Sequence, residues 1–352
     1  MSTAHRAYIP TNAHSNQYVL VELKPSDEFY QTFNSPEACY DKLSRLFFRL
    51  AEDESLSNVH FIANDKLPVV RYHSEYYCFQ TQKQMLFFYN PKYHEAQNVF
   101  IKPDYKARKI RLLFLATGSD IRANSAQFHR RVHRLIKHFK AELPDLPMEL
   151  KVRDHQHLSY DLFARDKGHK ETYAYKLRSL YARYEKRNCD LPQPRSELTY
   201  ATVALPLSRR LKQNLKLHDH DYGAMYKRIE TLFTDVCEKH GIAHRAFVAN
   251  GKTPLVRNSQ VDISEQNSEL QKMSFDTTSD DAQQLSFYED DNLVEAVNFI
   301  FVAGQHDCHE RGYGRFMNRV HEALKDLAAD IKLRPEHDDL IVRFYQHISY
   351  IL

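Results

Sequence analysis

The residues best suited to chemistry lie in two similar stretches, KVRDHQHLSYDLF (151–163) and IVRFYQHISYIL (341–352). Both contain Arg-x-x-x-His-x-Ser: Arg153, His157 and Ser159 in the first, Arg343, His347 and Ser349 in the second. Side chains two apart on an extended strand share a face. Each stretch therefore presents these three groups together. Leu150, Val152, Leu158, Tyr160 and Leu162, or Val342, Phe344, Ile348 and Tyr350, turn the other way. A guanidinium fork holds phosphate oxygens, and a seryl hydroxyl donates to a bound anion. An imidazole exchanges a proton near neutral pH. The set suits an anionic ligand, RNA or a nucleotide, held without reaction. It also allows a metal-independent phosphoester cleavage with His157 and His347 as base and acid. In a third reading, the faces only mate protein with protein, as in a structural scaffold.

The elements that position these strands are themselves written twice. ANDKLPVVR (63–71) returns as ANGKTPLVR (249–257), and further matches follow in the same order. QYVLVEL (17–23) answers TYATVAL (199–205), CYDKLSRLF (39–47) answers MYKRIETLF (225–233), and KIRLLFLATG (109–118) answers AVNFIFVAG (296–304). FHRRVHRLIKHF (128–139) answers FMNRVHEALKDL (316–327), and QHLSY answers QHISY. Co-linear matches of this kind indicate an internal duplication. Each copy reads as strand, helix, strand, strand, helix, strand with extra strands. The expectation is an α+β protein: a tandem ferredoxin-like βαββαβ unit whose two sheets are related by a pseudo-two-fold. Its parts are a first repeat at 1–163, a linker helix and Pro-containing connector at 164–198, and a second repeat at 199–352. Asn64-Asp65 and Asn250-Gly251 read as hairpin turns, because these residues tolerate left-handed backbone. The nonapeptide cations Lys66, Arg71, Lys252 and Arg257 are further candidate phosphate contacts. Residues 90–108 read as an additional hairpin, and the polar tract 258–281 as a mobile loop.

Composition narrows the classes. Hydrophobic residues make up 42% and charged residues 27%, as in globular proteins. No run of 18 apolar residues predicts a membrane span. With 8 glycines there is no phosphate-cradling Gly-rich loop and no dinucleotide fingerprint, so no cofactor is expected. The 5 widely spaced cysteines form no C-x-x-C pair, which points to a reducing cytoplasm and to no thiolate metal site. HDCHE (306–310) and HDHD (218–221) lack a metal-ligand spacing, so no metal is expected. Charge is uneven: residues 1–163 hold 22 Lys+Arg against 18 Asp+Glu, while 200–352 hold 18 against 23. A basic first half favours an anionic partner. On the helix at 128–140, Arg130, Arg131, Arg134 and Lys137 form a charged stripe that reads as a solvated face. Nothing in the sequence fixes an oligomeric state or decides between enzyme and binding protein.

The segments SNVHFIANDKLPVVRYHSEYYCF and LFFYNPKYHEAQNVF resemble an uncharacterised bacterial family, a domain of unknown function. That resemblance implies neither an activity nor site residues. HLSY and HISY are also similar to the His-Φ-Ser/Thr-Φ motif of two-histidine phosphoesterases, where Φ is apolar. This second likeness implies metal-free chemistry on cyclic nucleotide phosphates and RNA ends, with His157 and His347 catalytic. Here, however, the motifs close each half, and the chain is much longer than that family's domain.

Overall fold

The computed structural model describes residues 14–92, 97–101, 104, 107–118, 120, 125–144, 148–163, 195–214, 221–261, 263–307, 312–334 and 338–352. The linker helix expected at 169–187 lies outside them, as does most of HDHD and HDCHE. The first half runs β1 (His14–Pro25), α1 (Pro36–Asp53), β2 (Asn58–Ile62), β3 (Leu67–Tyr72), β4 (Tyr77–Gln80) and β5 (Gln84–Tyr89). It continues with β6 (Gln97–Ile101), β7 (Ile110–Leu115), α2 (Ser125–Ala141) and β8 (Met148–Asp161). The second half runs β9 (Ser196–Pro206), α3 (Tyr222–Lys239), β10 (His244–Ala249), β11 (Thr253–Asn258), β12 (Ser264–Gln266) and β13 (Leu270–Phe275). It closes with β14 (Gln284–Tyr288), β15 (Ala296–Val302), α4 (Gly312–Asp330) and β16 (Ile341–Ile351).

The chain forms two compact units. The N-terminal unit is built chiefly from Ser15–Gln156 together with His347–Leu352. The C-terminal unit is built chiefly from Glu197–Gln346 together with the end of β8 from His157. Each unit thus takes in the end of the other half's last strand. In the N-terminal unit, Leu352 N–H donates to Leu150 O at 3.0 Å. In the C-terminal unit, Leu162 N–H donates to Leu340 O at 2.9 Å.

Within the N-terminal unit the strands neighbour one another in the order β8-β1-β7-β2-β6, and within the C-terminal unit β16-β9-β15-β10-β14. β1 and β7 pair antiparallel with Glu22 opposite Arg111, and β9 and β15 pair likewise with Ala204 opposite Asn298. One face of these strands packs on helices. Ser35 caps α1 by accepting from Ala38 N–H, Pro36 starts it, and Cys39, Tyr40, Leu43, Phe47 and Leu50 are buried. In the other half Asp221 caps α3 in the same way. On α2 the stripe Phe128, Val132, Leu135, Ile136 and Phe139 is fully buried, as its 3.6-residue spacing predicts.

The opposite face is covered by a separate three-stranded sheet in each unit, ordered β3-β5-β4 and β11-β13-β12. Each unit thus carries a second, smaller sheet where the sequence suggested one. In the N-terminal unit Val70, Met85, Phe87 and Tyr89 pack from this small sheet onto Leu20, Ile62, Leu113 and Leu115. The nonapeptide is a corner, not a hairpin: β2 pairs with β6 and β7, whereas β3 pairs with β5 in the small sheet. Its left-handed residues do fall where expected, with Asp65 at φ 56° and Gly251 at φ 71°. The polar tract 258–281 is not a loop. It contains β12 and β13, and β13 buries Gln271, Met273, Ser274 and Phe275.

Candidate anion-binding face of the N-terminal unit

Strand alternation sets the site. On β8, Leu150, Val152, Leu158 and Tyr160 are buried on the helix side, while Arg153 and His155 are half-buried opposite. Lys151 shares the parity of Arg153. The neighbouring strands bring more charge to this face: Glu22 and Lys24 on β1, Arg111 on β7 and Lys109 just before it. Glu22 is buried, and three cations converge on it. Arg111 Nε lies 3.4 Å from its carboxylate, Arg153 Nη1 3.8 Å and Lys109 Nζ 3.9 Å. Lys24 Nζ stands 3.7 Å from Glu149. Four cations thus pair with two carboxylates, and Lys151 adds a fifth to the same face. The ammonium of Lys151 is held below its ordinary range by burial and then by Arg153 beside it, with Glu22 opposing and Lys24 adding to the effect. Such a surplus of like charge is the local field that recruits an anion.

Beside these cations lies a short stack of rings. Tyr18 packs on His155 at 4.5 Å between centroids and His155 on His347 at 4.6 Å, with planes within 13° and 17°. Ser349 Oγ is 2.9 Å from His347 Nε2. Burial, with His347 next to it, pushes His155 well below the usual imidazole range. Burial and then the Arg153 charge push His347 down to about 4. Both rings are neutral at pH 7, and they offer hydrogen bonds without charge.

The C-terminal unit repeats the stack but not the cations. Tyr200 packs on Tyr345 at 4.7 Å and Tyr345 on His157 at 4.5 Å, while Ser159 Oγ is 2.8 Å from His157 Nε2. The sequence-matched positions of Glu22, Lys24, Lys109, Arg111 and Lys151 are Ala204, Pro206, Ala296, Asn298 and Ile341. Arg343 alone matches a cation, Arg153.

The predicted site residues are thus distributed as follows. Arg153, His347 and Ser349 gather in the N-terminal unit, and Arg343, His157 and Ser159 belong to the C-terminal unit. Lys66 borders the cationic face, because its carbonyl accepts from Arg111 Nη1 at 2.9 Å; its Nζ donates to Gln80 Oε1 at 2.9 Å. Lys252 donates to Gln266 Oε1 at 2.8 Å. Arg71 and Arg257 lie exposed on the small sheets. On the α2 stripe, Arg134 pairs with Glu54 at 2.6 Å and Arg131 with Asp120.

The sequence reading missed Lys24, Lys109, Arg111, Lys151 and the buried Asp154. The period-two rule that selected Arg153 applies equally to Lys151, and the same parity on β1 and β7 marks the others. Asp154 interrupts the apolar side of β8, with His129 Nε2 at 4.0 Å and His133 Nε2 at 3.7 Å from its carboxylate. His133 also meets Tyr350 OH at 2.8 Å. In the C-terminal unit His321 donates from Nδ1 to Met317 O at 2.7 Å, which leaves Nε2 to accept from Tyr160 OH. Among the described residues no group of three or more His, Cys, Asp or Glu is arranged to hold a metal ion. Nor is any described helix long and apolar enough to cross a membrane.

Residues 38–350 match the family described as protein of unknown function (DUF3083), and the chain belongs to that family. No curated protein matches it.

Proposed function

We propose that the protein binds an anionic ligand, RNA or a nucleotide, through the cationic strand face of its N-terminal unit. Lys24, Lys109, Arg111, Lys151 and Arg153 hold phosphate oxygens, with Ser349 and the neutral imidazoles of His155 and His347 as hydrogen-bonding neighbours. The observation that carries this reading is the convergence of Lys109, Arg111 and Arg153 on the single buried carboxylate of Glu22, with Lys24 and Lys151 beside them. Lys66 and Arg71 extend the basic surface. Arg343, Ser159, Lys252 and Arg257 are secondary contacts in a unit that lacks the cluster. On this reading the chain is a duplicated ferredoxin-like unit, divided at 1–163, 164–198 and 199–352. The strand orders β8-β1-β7-β2 and β16-β9-β15-β10 support it. One copy has kept or acquired the ligand site. The buried, unlinked Cys39 and Cys237 favour a cytoplasmic home for it.

Binding without catalysis is preferred because His347, at about 4, carries no proton to donate as a general acid at pH 7. The test is fluorescence anisotropy with labelled RNA and DNA oligonucleotides and with nucleotides. Lys151→Ala with Arg153→Ala should weaken binding at least about tenfold and lower the salt slope by about 0.7 per lost contact to a single strand. Arg343→Ala should change little. Equal affinity in the double variant and the parent protein would remove the proposal.

A further inference from the structure

Among the described residues, the outer face of the small sheet β3-β5-β4 is apolar and exposed. Its inner residues Met85, Phe87 and Tyr89 are buried, so alternation turns Leu86 and Phe88 outward, beside Tyr77 and Phe79 of β4. Tyr77 is 38% exposed and Phe79 47%, large values for aromatic side chains on a strand. Their rings form a near-parallel set: Tyr77 to Phe88 at 4.4 Å, Phe79 to Phe88 at 5.7 Å and Tyr77 to Phe79 at 6.2 Å, with planes within 10°. Arg71 sits opposite Phe88 in the register of β3 and β5. From Lys66 to Lys92 the chain holds Lys66, Arg71, Lys83 and Lys92 against one acid, Glu75.

The second half of the chain shows that the fold does not require this face. By register the positions of Tyr77, Phe79, Leu86 and Phe88 are taken by Ile263, Glu265, Lys272 and Ser274. There Lys272 and Glu265 pair at 3.1 Å. The matching stretch, Lys252 to Thr278, holds three cations against four acids. The same sheet is thus built once with a Lys–Glu pair and an exposed Ile263 on its outer side and once with exposed rings among cations.

We infer that this face is a base-stacking platform and that the ligand of the N-terminal unit is a single-stranded nucleic acid. The inference rests on the anion-binding reading above and extends it. Exposed rings offer π-faces to unpaired bases, which a duplex keeps stacked inside itself, and flanking cations track the backbone. The platform and the phosphate-holding cations share a border at Lys66. Its carbonyl accepts from Arg111 of the cationic face, and its ammonium reaches Gln80 at the end of β4. A strand crossing that border places phosphates on one side and bases on the other. A compact nucleotide would occupy the cations alone.

The test uses the full chain and a labelled 15-mer in single-stranded and duplex forms, with inorganic pyrophosphate as a competitor that reads only the cations. The single strand should bind more tightly than the duplex. Tyr77→Ala with Phe79→Ala, and separately Phe79→Glu, should weaken single-strand binding about 10- to 100-fold while leaving the salt slope and pyrophosphate binding unchanged. Unchanged single-strand affinity in these variants, with a loss in Lys151→Ala, would overturn the platform and keep the anion site. So would a concentration-dependent self-association that Phe79→Glu abolishes without touching oligonucleotide binding, since the rings would then serve a second copy. No binding of oligonucleotide or pyrophosphate by the parent protein would overturn both readings.

Discussion

Several histidines of this protein are kept neutral by burial, and this gives its stability a direction with pH. His60 is packed against Phe87 at 4.9 Å, makes no hydrogen bond through either ring nitrogen among the described residues, and is pushed down to about 3. His321 and His347 are pushed down to about 4. Unfolded, each would titrate near 6.5. Between that value and the folded one, the unfolded chain holds a proton that the native chain refuses, so acidification favours unfolding. Stability should be flat above pH 7 and fall from about pH 6.5 toward pH 4, each such group contributing a slope of up to about 1.4 kcal/mol per pH unit. Thermal unfolding at stepped pH measures this. His60→Leu should give a shallower acid limb, and an unaltered limb would mean that His60 is protonated in the native state. At this scale the Arg-x-x-x-His-x-Ser pattern was legible because alternation within one strand is written in the sequence. The cations of β1 and β7 were not. Glu22 and Arg111 meet only through the register of two strands far apart in the chain.

The corner between β2 and β3 shows what local sequence can and cannot specify. Asn64 Oδ1 accepts from Lys66 N–H at 3.1 Å, and Asn250 does the same for Lys252 at 3.1 Å. That turn chemistry predicted the left-handed residue correctly, but not whether the flanking strands pair with each other. Asp65 adds a tie that Gly251 cannot make. Its carboxylate accepts from Arg108 N–H at 3.1 Å and Lys109 N–H at 3.2 Å, beside the cationic face. Asp65→Gly should therefore cost about 1–2 kcal/mol in urea unfolding through the lost hydrogen bonds, even though glycine suits the backbone. Gly251→Asp should cost about 1 kcal/mol, because a side chain at φ 71° strains the backbone even though nothing lies within 4 Å of its added Cβ. An Asp65→Gly variant as stable as the parent protein would show that the Asp65 hydrogen bonds contribute nothing. The strand β13 escaped the sequence reading for a related reason. Its buried Gln271 looks like a loop residue, yet it accepts from Asn250 Nδ2 at 2.9 Å and is satisfied in place.

At the scale of the molecule, co-linear matches led to the expectation of two related halves but not to that of traded strand ends. The available signal was length: β8 runs 14 residues and β16 runs 11, about twice a common strand. In the N-terminal unit Ile348 and Tyr350 are buried, Tyr350 meets His133, and Ser349 O accepts from Arg195 N–H at 2.8 Å. Removing residues 347–352 should therefore destabilise the N-terminal unit by at least about 3 kcal/mol, as large core truncations do. Hydrogen exchange locates the damage: amides of Met148–Gln156 should lose protection. Loss confined to Glu197–Gln346 would contradict it.

The traded ends also impose a timetable on biosynthesis. About 190 residues separate Gln156 from the hexapeptide that completes the same unit. At about 5–20 residues per second, the ribosome needs roughly 10–40 s to supply it. Over that interval the nascent N-terminal unit carries an unfilled seam beside β8.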